Sequence, residues 1–197
     1  NLCYNFDLLS DSFSANHLRA VIQRSARDAP ESWPCWAFSN HDVPRSASRL
    51  APEGATSQKI ARLTTAILLG LRGTPCIYQG EELGLEEVEV PYDQLQDPYG
   101  IQFWPDYVGR DGCRTPMPWA PSEPNCGFTN SPEPWLPIPD GHQELAVSVQ
   151  ETTEDSTLQF FRRVLRVRKQ EPTLQLGTLT LLDAQDEVFA FSRSFEG

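Results

Sequence analysis

Trp36-Ala37-Phe38-Ser39-Asn40-His41-Asp42-Val43-Pro44-Arg45 is the stretch whose reading decides the fold. Its first half is a short apolar run of strand character that ends abruptly in Asn40, His41 and Asp42. Pro44 closes the extended segment, because it has no N–H to give a ladder and it restricts Val43 before it. A strand that ends in a polar cluster is how barrels and open α/β sheets present reacting groups. Alone, such a triplet is more often a capped strand end than a site. Its surroundings have to decide.

Upstream, residues 3–9 have the aromatic and apolar character of a buried strand. Residues 10–16 supply turn and N-cap types. Leu18, Val21, Ile22 and Ala26 then recur at helical spacing as far as Ala29-Pro30. The strand carrying the motif spans 33–39. Downstream of a polar loop with Pro52 and Gly54, Ile60, Leu63, Thr64, Ile67, Leu68 and Leu71 form one apolar face, which Arg72-Gly73 terminates. Residues 74–78 predict a third strand, and it too ends in a polar set, Gln79-Gly80-Glu81-Glu82. Strand and helix alternate, which predicts a parallel sheet with right-handed crossovers. No Gly-rich phosphate fingerprint follows any strand, so a nucleotide-binding sheet is disfavoured. A TIM-type barrel fits better, and only part of one, since a full barrel takes about 250 residues.

The rhythm breaks over residues 86–140, which hold 11 of the 17 prolines and three of the five tryptophans. Aromatics at that density argue against disorder, and a long ordered loop in a compact domain usually serves function. Over a barrel mouth, Trp104, Tyr107, Trp119 and Trp135 would either offer stacking surfaces to an uncharged ring or pin the loop down. A last helix follows, with Leu158, Phe161, Val164, Leu165 and Arg168 on one side and basic residues towards its C-terminal half, where they suit the helix dipole. Pro172 is expected to end it. Residues 176–182 and 188–192 predict a hairpin across 183–187. The domain division expected is 1–172, barrel, and 173–197, the opening of a separate antiparallel β-domain.

The 197 residues carry a net charge of −11, which argues against nucleic acid and against an anionic membrane as partner. No apolar run approaches the roughly 20 residues that span a bilayer. The chain opens on Asn1-Leu2-Cys3 with neither a charged leader nor an initiator Met, so an internal fragment is expected. Five cysteines, an odd number with no C-x-x-C pair, point to free thiols in a reduced, cytoplasmic compartment. Cys3 and Cys76 are expected to fill the core.

Three blocks in order carry a family resemblance: Phe38-Ser39-Asn40-His41-Asp42 with Val43-Pro44-Arg45; Gly73-Thr74-Pro75-Cys76-Ile77-Tyr78-Gln79-Gly80-Glu81-Glu82-Leu83-Gly84; and Gly109-Arg110-Asp111-Gly112-Cys113-Arg114-Thr115-Pro116-Met117-Pro118-Trp119, then Phe128 and Pro134-Trp135-Leu136-Pro137. Together they resemble the α-amylase superfamily, and within it the bacterial α-glucosidase and oligo-1,6-glucosidase branch. The likeness covers nearly the whole chain. It implies about the sixth to eighth strands of a (β/α)8 barrel and a parent enzyme that is a retaining α-glucosidase, acting on short oligosaccharides or glucosides.

The resemblance implies roles only at matching positions. Asp42 would hold sugar hydroxyls and stabilise the oxocarbenium-like transition state, with His41 hydrogen-bonded to the same sugar. Arg110, and after it Arg114, would form the floor of the pocket for the terminal glucose. Glu81 and Glu82 are read as groups that either fix loops or stand behind the site without a proton-transfer role. The family's nucleophile and general acid lie on earlier strands, so the chain alone is expected to be inactive. No cofactor is expected in this segment; a structural Ca or Mg ion would belong to the part upstream. The alternatives are an α-glucosyl transferase or sucrose isomerase on the same scaffold, and a non-catalytic amylase-like interaction domain.

Overall fold

The computed structural model describes residues 2–185 and 187–196. The elements run β1 (Leu2–Asn5), α1 (Ala15–Asp28), β2 (Trp33–Trp36), α2 (Ser46–Arg49), α3 (Ser57–Gly70) and β3 (Thr74–Pro75). Next come α4 (Pro98–Phe103), α5 (Asp140–Glu144), α6 (Val147–Glu151), α7 (Thr157–Gln170), α8 (Pro172–Leu176), β4 (Thr178–Leu181) and β5 (Phe191–Ser194). β1, β2 and β3 form one parallel sheet in that order, with Tyr4 opposite Cys35 and Cys35 opposite Thr74. The alternation of strand and helix produced the parallel sheet that the sequence pattern predicts.

Proline tolerates the central strand for a local reason. Pro34 pairs with Cys3 on β1, but pairing to β3 starts only at Cys35, so no N–H at position 34 is needed on that side. Gly73, at φ +134, lets β3 come close: a Cβ there would sit 2.5 Å from the Pro34 carbonyl oxygen and 2.8 Å from the Trp36 indole nitrogen. The core lies between the sheet and helices α1 and α3, built from Leu18, Val21, Ile22, Trp36, Phe38, Ile60, Ile67 and Leu68. Each large side chain buried there contributes about 1.5–3 kcal/mol. Ser14 caps α1 by accepting from His17 N at 3.1 Å.

Several sequence expectations need correction. The first strand stops at Asn5; residues Asp7–Leu9 turn as a 3-10 helix, and the Asn5 side chain starts that turn by accepting from Asp7 N at 2.8 Å. β2 and β3 are shorter than 33–39 and 74–78, because their apolar ends leave the ladder to form loops, although Cys76 N still reaches the Trp36 carbonyl at 2.8 Å. Cys3 is exposed and fills no core, being at the open side of β1; Cys35, Cys113 and Cys126 are the buried free thiols. Pro172 ends α7 but also begins α8, its fixed φ suiting a first helical turn. That turn consumes Leu176, so β4 starts at Thr178. The return strand runs 191–194 rather than 188–192, and of the hairpin connection 183–187, Asp186 lies outside the described residues. The span 86–140 is, as expected, irregular, with α4 and three 3-10 turns as its regular pieces.

Candidate functional site

The turn after β2 is set locally. The Asn40 carboxamide oxygen accepts from Asp42 N at 2.8 Å, and the buried Ser39 hydroxyl accepts from Ser46 N at 2.9 Å, so both ends of the turn are closed by side chains. Arg49 on α2 donates to the carbonyls of Phe38 and Ser10, tying the turn down from behind. Asp42 projects from this frame with its side chain 47% exposed.

The loop 86–140 brings two arginines to it. Asp42 Oδ1 accepts from Arg110 Nη1 at 2.9 Å and from Arg114 Nη2 at 3.4 Å, while Asp42 Oδ2 lies 3.4 Å from His41 Nε2. Arg114 Nε also donates to the His41 carbonyl at 2.8 Å. The structure thus brings together all of His41, Asp42, Arg110 and Arg114. Trp104, Tyr107, Trp119 and Trp135 each leave about half of their surface exposed, and Trp104 packs against Tyr92 with ring centroids 5.5 Å apart. The ring beside the cluster is a different one, Tyr99, whose centroid is 5.6 Å from the Arg110 guanidinium carbon.

Sequence reasoning missed Asp97. Its carboxylate is fully buried and accepts four N–H groups: Arg110 Nε at 2.8 Å and Arg110 N at 2.9 Å on Oδ2, Arg110 Nη2 at 3.0 Å and Tyr99 N at 3.2 Å on Oδ1. These bonds, the Arg110 side chain first, hold the Asp97 carboxyl well below the usual carboxylate range and raise Arg110 further above its own. Behind them the fully buried Asp111 accepts from Gln96 N at 2.6 Å and Asp97 N at 2.8 Å. The dipeptide Asp97-Pro98 is a readable helix start, with Asp as N-cap and Pro at the first turn. Only the fold reveals that the same carboxylate also grips Arg110.

A second tier of polar groups sets the loops. Glu81 accepts from Tyr78 N at 3.0 Å and from the Ser46 hydroxyl at 3.4 Å; burial pushes its carboxyl up to about 7 against these bonds. Glu82 accepts from Gly80 N at 2.9 Å and is also raised by burial. Both carboxylates bind loop backbone, in line with the loop-fixing reading. Arg45 is buried and donates to the Gln79 carbonyl at 2.7 Å and to Thr115 Oγ1 at 3.3 Å. The buried His142 bridges Thr115 Oγ1 at 3.4 Å and the Glu86 carbonyl at 2.9 Å, and burial lowers it to about 4, so it is neutral near pH 7. Among the described residues no three His, Cys, Asp or Glu side chains are grouped to hold a metal ion, and no helix is long and apolar enough to cross a membrane.

Known proteins share this arrangement of sequence. Residues 5–177 match the alpha amylase catalytic-domain family model. A "Probable alpha-glucosidase" of Rhizobium meliloti is 48% identical over 195 residues, which are 98% of this chain and 35% of that protein. An oligo-1,6-glucosidase of Parageobacillus thermoglucosidasius is 30% identical over 183 residues, 83% of this chain and 32% of its own length. The solved structure of the alpha-glucosyl transfer enzyme XgtA superposes with a TM-score of 0.91 at 47% identity, over 98% of this chain and 36% of that one. The chain spans about a third of the length of these relatives. Its parallel sheet is accordingly a portion of the TIM-barrel architecture of that catalytic domain. With the family model matched over most of its length, the chain belongs to the alpha-amylase catalytic-domain family.

Proposed function

We propose that this chain is part of the catalytic domain of a retaining α-glucosidase, covering about the sixth to eighth barrel strands over residues 1–172, with residues 173–197 opening a C-terminal β-domain. Asp42, gripped by Arg110 and Arg114 at the end of a parallel strand, carries the reading. The cluster holds two carboxylates, Asp42 and Asp97, against two guanidiniums, Arg110 and Arg114. Formal charge therefore balances, which suits a neutral polyhydroxylated ring better than a phosphorylated or acidic sugar. Carboxylate oxygens accept from sugar hydroxyls and guanidinium N–H groups donate to them.

In retaining glycoside hydrolysis one carboxylate attacks the anomeric carbon and a second carboxyl group first protonates the leaving oxygen, then deprotonates water. Those two groups belong to the part of the enzyme outside this chain. Asp42 acts as a third carboxylate. Its bonds to the sugar strengthen as the ring flattens and becomes cationic, so it binds the transition state more tightly than the ground state. His41 shares the sugar contact, and Arg110 and Arg114 line the pocket floor. The substrate class is a neutral oligosaccharide or aryl or alkyl glucoside, with no nucleic acid, membrane or resident metal on this segment and a cytoplasmic location. The free cysteines and the match to two glucosidases support this assignment.

In the enzyme that contains this chain, Asp42→Asn is expected to lower kcat/KM on p-nitrophenyl α-glucoside by about 10²–10³-fold. An unchanged value would overturn the assignment. The 197-residue chain by itself is expected to give no turnover. A glucosyl-transferring variant of the same chemistry has one specific observation in its favour, the 47% identity to XgtA. Product analysis separates the two: two glucose released per maltose consumed marks hydrolysis, and one glucose together with a new oligosaccharide, or an isomerised sucrose, marks transfer.

A further inference from the structure

We propose that Asp97 is a positioning residue: it clamps Arg110 by both its backbone and its side chain, so that the Nη1 end of the guanidinium is the one turned to Asp42 and the sugar. The inference rests on the reading of Asp42 and Arg110 as sugar-holding groups. Its geometry stands by itself. A guanidinium carries five N–H donors in a rigid plane. Asp97 takes the Nε and Nη2 edge in a bidentate grip at 2.8 and 3.0 Å, and the Arg110 backbone N–H at 2.9 Å closes a ring through the same carboxylate. What projects beyond is the Nη1 end, 2.9 Å from Asp42 Oδ1.

The anchor and the working end differ in exposure. The Asp97 side chain is 0% exposed and that of Arg110 28%, so a buried carboxylate holds an arginine that reaches out from it. Backbone packing around the clamp is close and specific. Gly109 has φ +81, and a Cβ there would come within 2.8 Å of Gly100 Cα and 3.2 Å of Asp97 Cβ. The Asp97 backbone is in turn held by Asp111, through bonds to the N–H groups of Gln96 and Asp97. Asp111, Asp97, Arg110 and Asp42 thus form one chain of charge-assisted bonds running from the buried loop to the strand-end turn. A guanidinium free to swing would meet the sugar in many orientations, and a displacement of about 1 Å can cost about 10²-fold in rate.

The test is a double-mutant cycle in the enzyme that contains this chain. Arg110→Ala, Asp97→Asn and the double variant are compared by kcat/KM on p-nitrophenyl α-glucoside, per folded molecule by circular dichroism. Asp97→Asn is expected to lower kcat/KM by about 10²-fold. The double variant should be no worse than Arg110→Ala, because a group acting only through Arg110 has nothing left to position. Added guanidinium ion gives a readout that a merely structural role would not move: it should partly rescue Arg110→Ala and fail to rescue the double variant. If Asp97→Asn does not fold, Asp97→Glu enters the same cycle, keeping the charge and displacing the grip. Additive losses, or equal rescue of both Arg110→Ala backgrounds, would overturn the inference. Should Arg110→Ala itself leave kcat/KM unchanged, the reading of the site falls with it; should Arg110→Ala be impaired while the Asp97 variant is not, only the positioning role falls.

Discussion

Arginines at the two ends of the parallel sheet make opposite use of the same side chain. At the C-terminal ends of the strands, Arg110 and Arg114 meet carboxylates, and the net result is a charge-balanced cluster partly open to solvent. At the other end, Arg168 of α7 donates to the carbonyls of Leu69 at 2.6 Å, Leu71 at 3.1 Å and Gly73 at 2.7 Å. Arg193 of β5 donates to Gly70 at 2.7 Å and Gly177 at 2.8 Å. These carbonyls include the orphan acceptors at the end of α3, where a cation also suits the helix dipole. Arg110 and the two stapling arginines shift in opposite directions. Carboxylate partners raise Arg110, whereas burial lowers Arg168 and brings Arg193 down to about 10, since carbonyl dipoles compensate a buried charge less than a carboxylate does. One end is built to present charge, and the other uses it as a staple.

The division can be broken by exchanging readouts. Asp42→Asn, with its large expected loss of kcat/KM, should leave the unfolding midpoint nearly unchanged, because the side chain is about half exposed. Arg168→Met is expected to do the reverse. It orphans buried carbonyls, costs about 2–4 kcal/mol in denaturant unfolding, and should leave kcat/KM per folded molecule intact. A comparable loss of kcat/KM in Arg168→Met would end the distinction.

Two buried groups on the loop side sharpen it through pH. Glu81 sits at about 7, above its ordinary 4.5, so its contribution is present below 4.5 and lost as pH rises through 7. His142 sits at about 4, below its ordinary 6.5, so the unfolded chain takes up a proton first; its contribution is present above 6.5 and lost as pH falls towards 4. Each is worth on the order of 3 kcal/mol, and the slopes oppose each other between pH 4.5 and 6.5. Glu81→Gln should therefore make stability rise more steeply with pH in that window, and His142→Gln should make it fall, as read by urea titration at several pH values. Parallel curves for the two variants would refute both assignments. The smallest effect is expected at the α1 cap, where Ser14→Ala should cost about 1 kcal/mol with no change in kcat/KM; a larger loss would mean that the cap supports more than its helix.

Much of the fold was legible because it is written in short-range pattern. The apolar spacing from Leu18 to Ala26 and from Ile60 to Leu71 announces α1 and α3, and apolar runs between them announce parallel strands. Strand ends were less legible. Phe6 and Leu8 have strand character, yet the Asn5 side chain competes for backbone N–H and turns the chain. The first hairpin strand starts late, at Thr178, because α8 takes up Leu176, a consequence of where Pro172 sets a new helix rather than of apolar content.

The candidate site divides the same way. Asn40, His41, Asp42, Arg110 and Arg114 could be named from the linear sequence, because residue type and order mark them. That Asp42 and Arg110 touch across 68 positions of chain, and that a helix-capping Asp97 is the anchor for that arginine, only tertiary structure decided. Local sequence specifies hydrogen bonds within a turn or a cap. A carboxylate's second partner comes from wherever the folded backbone delivers a guanidinium, and no spacing rule encodes that.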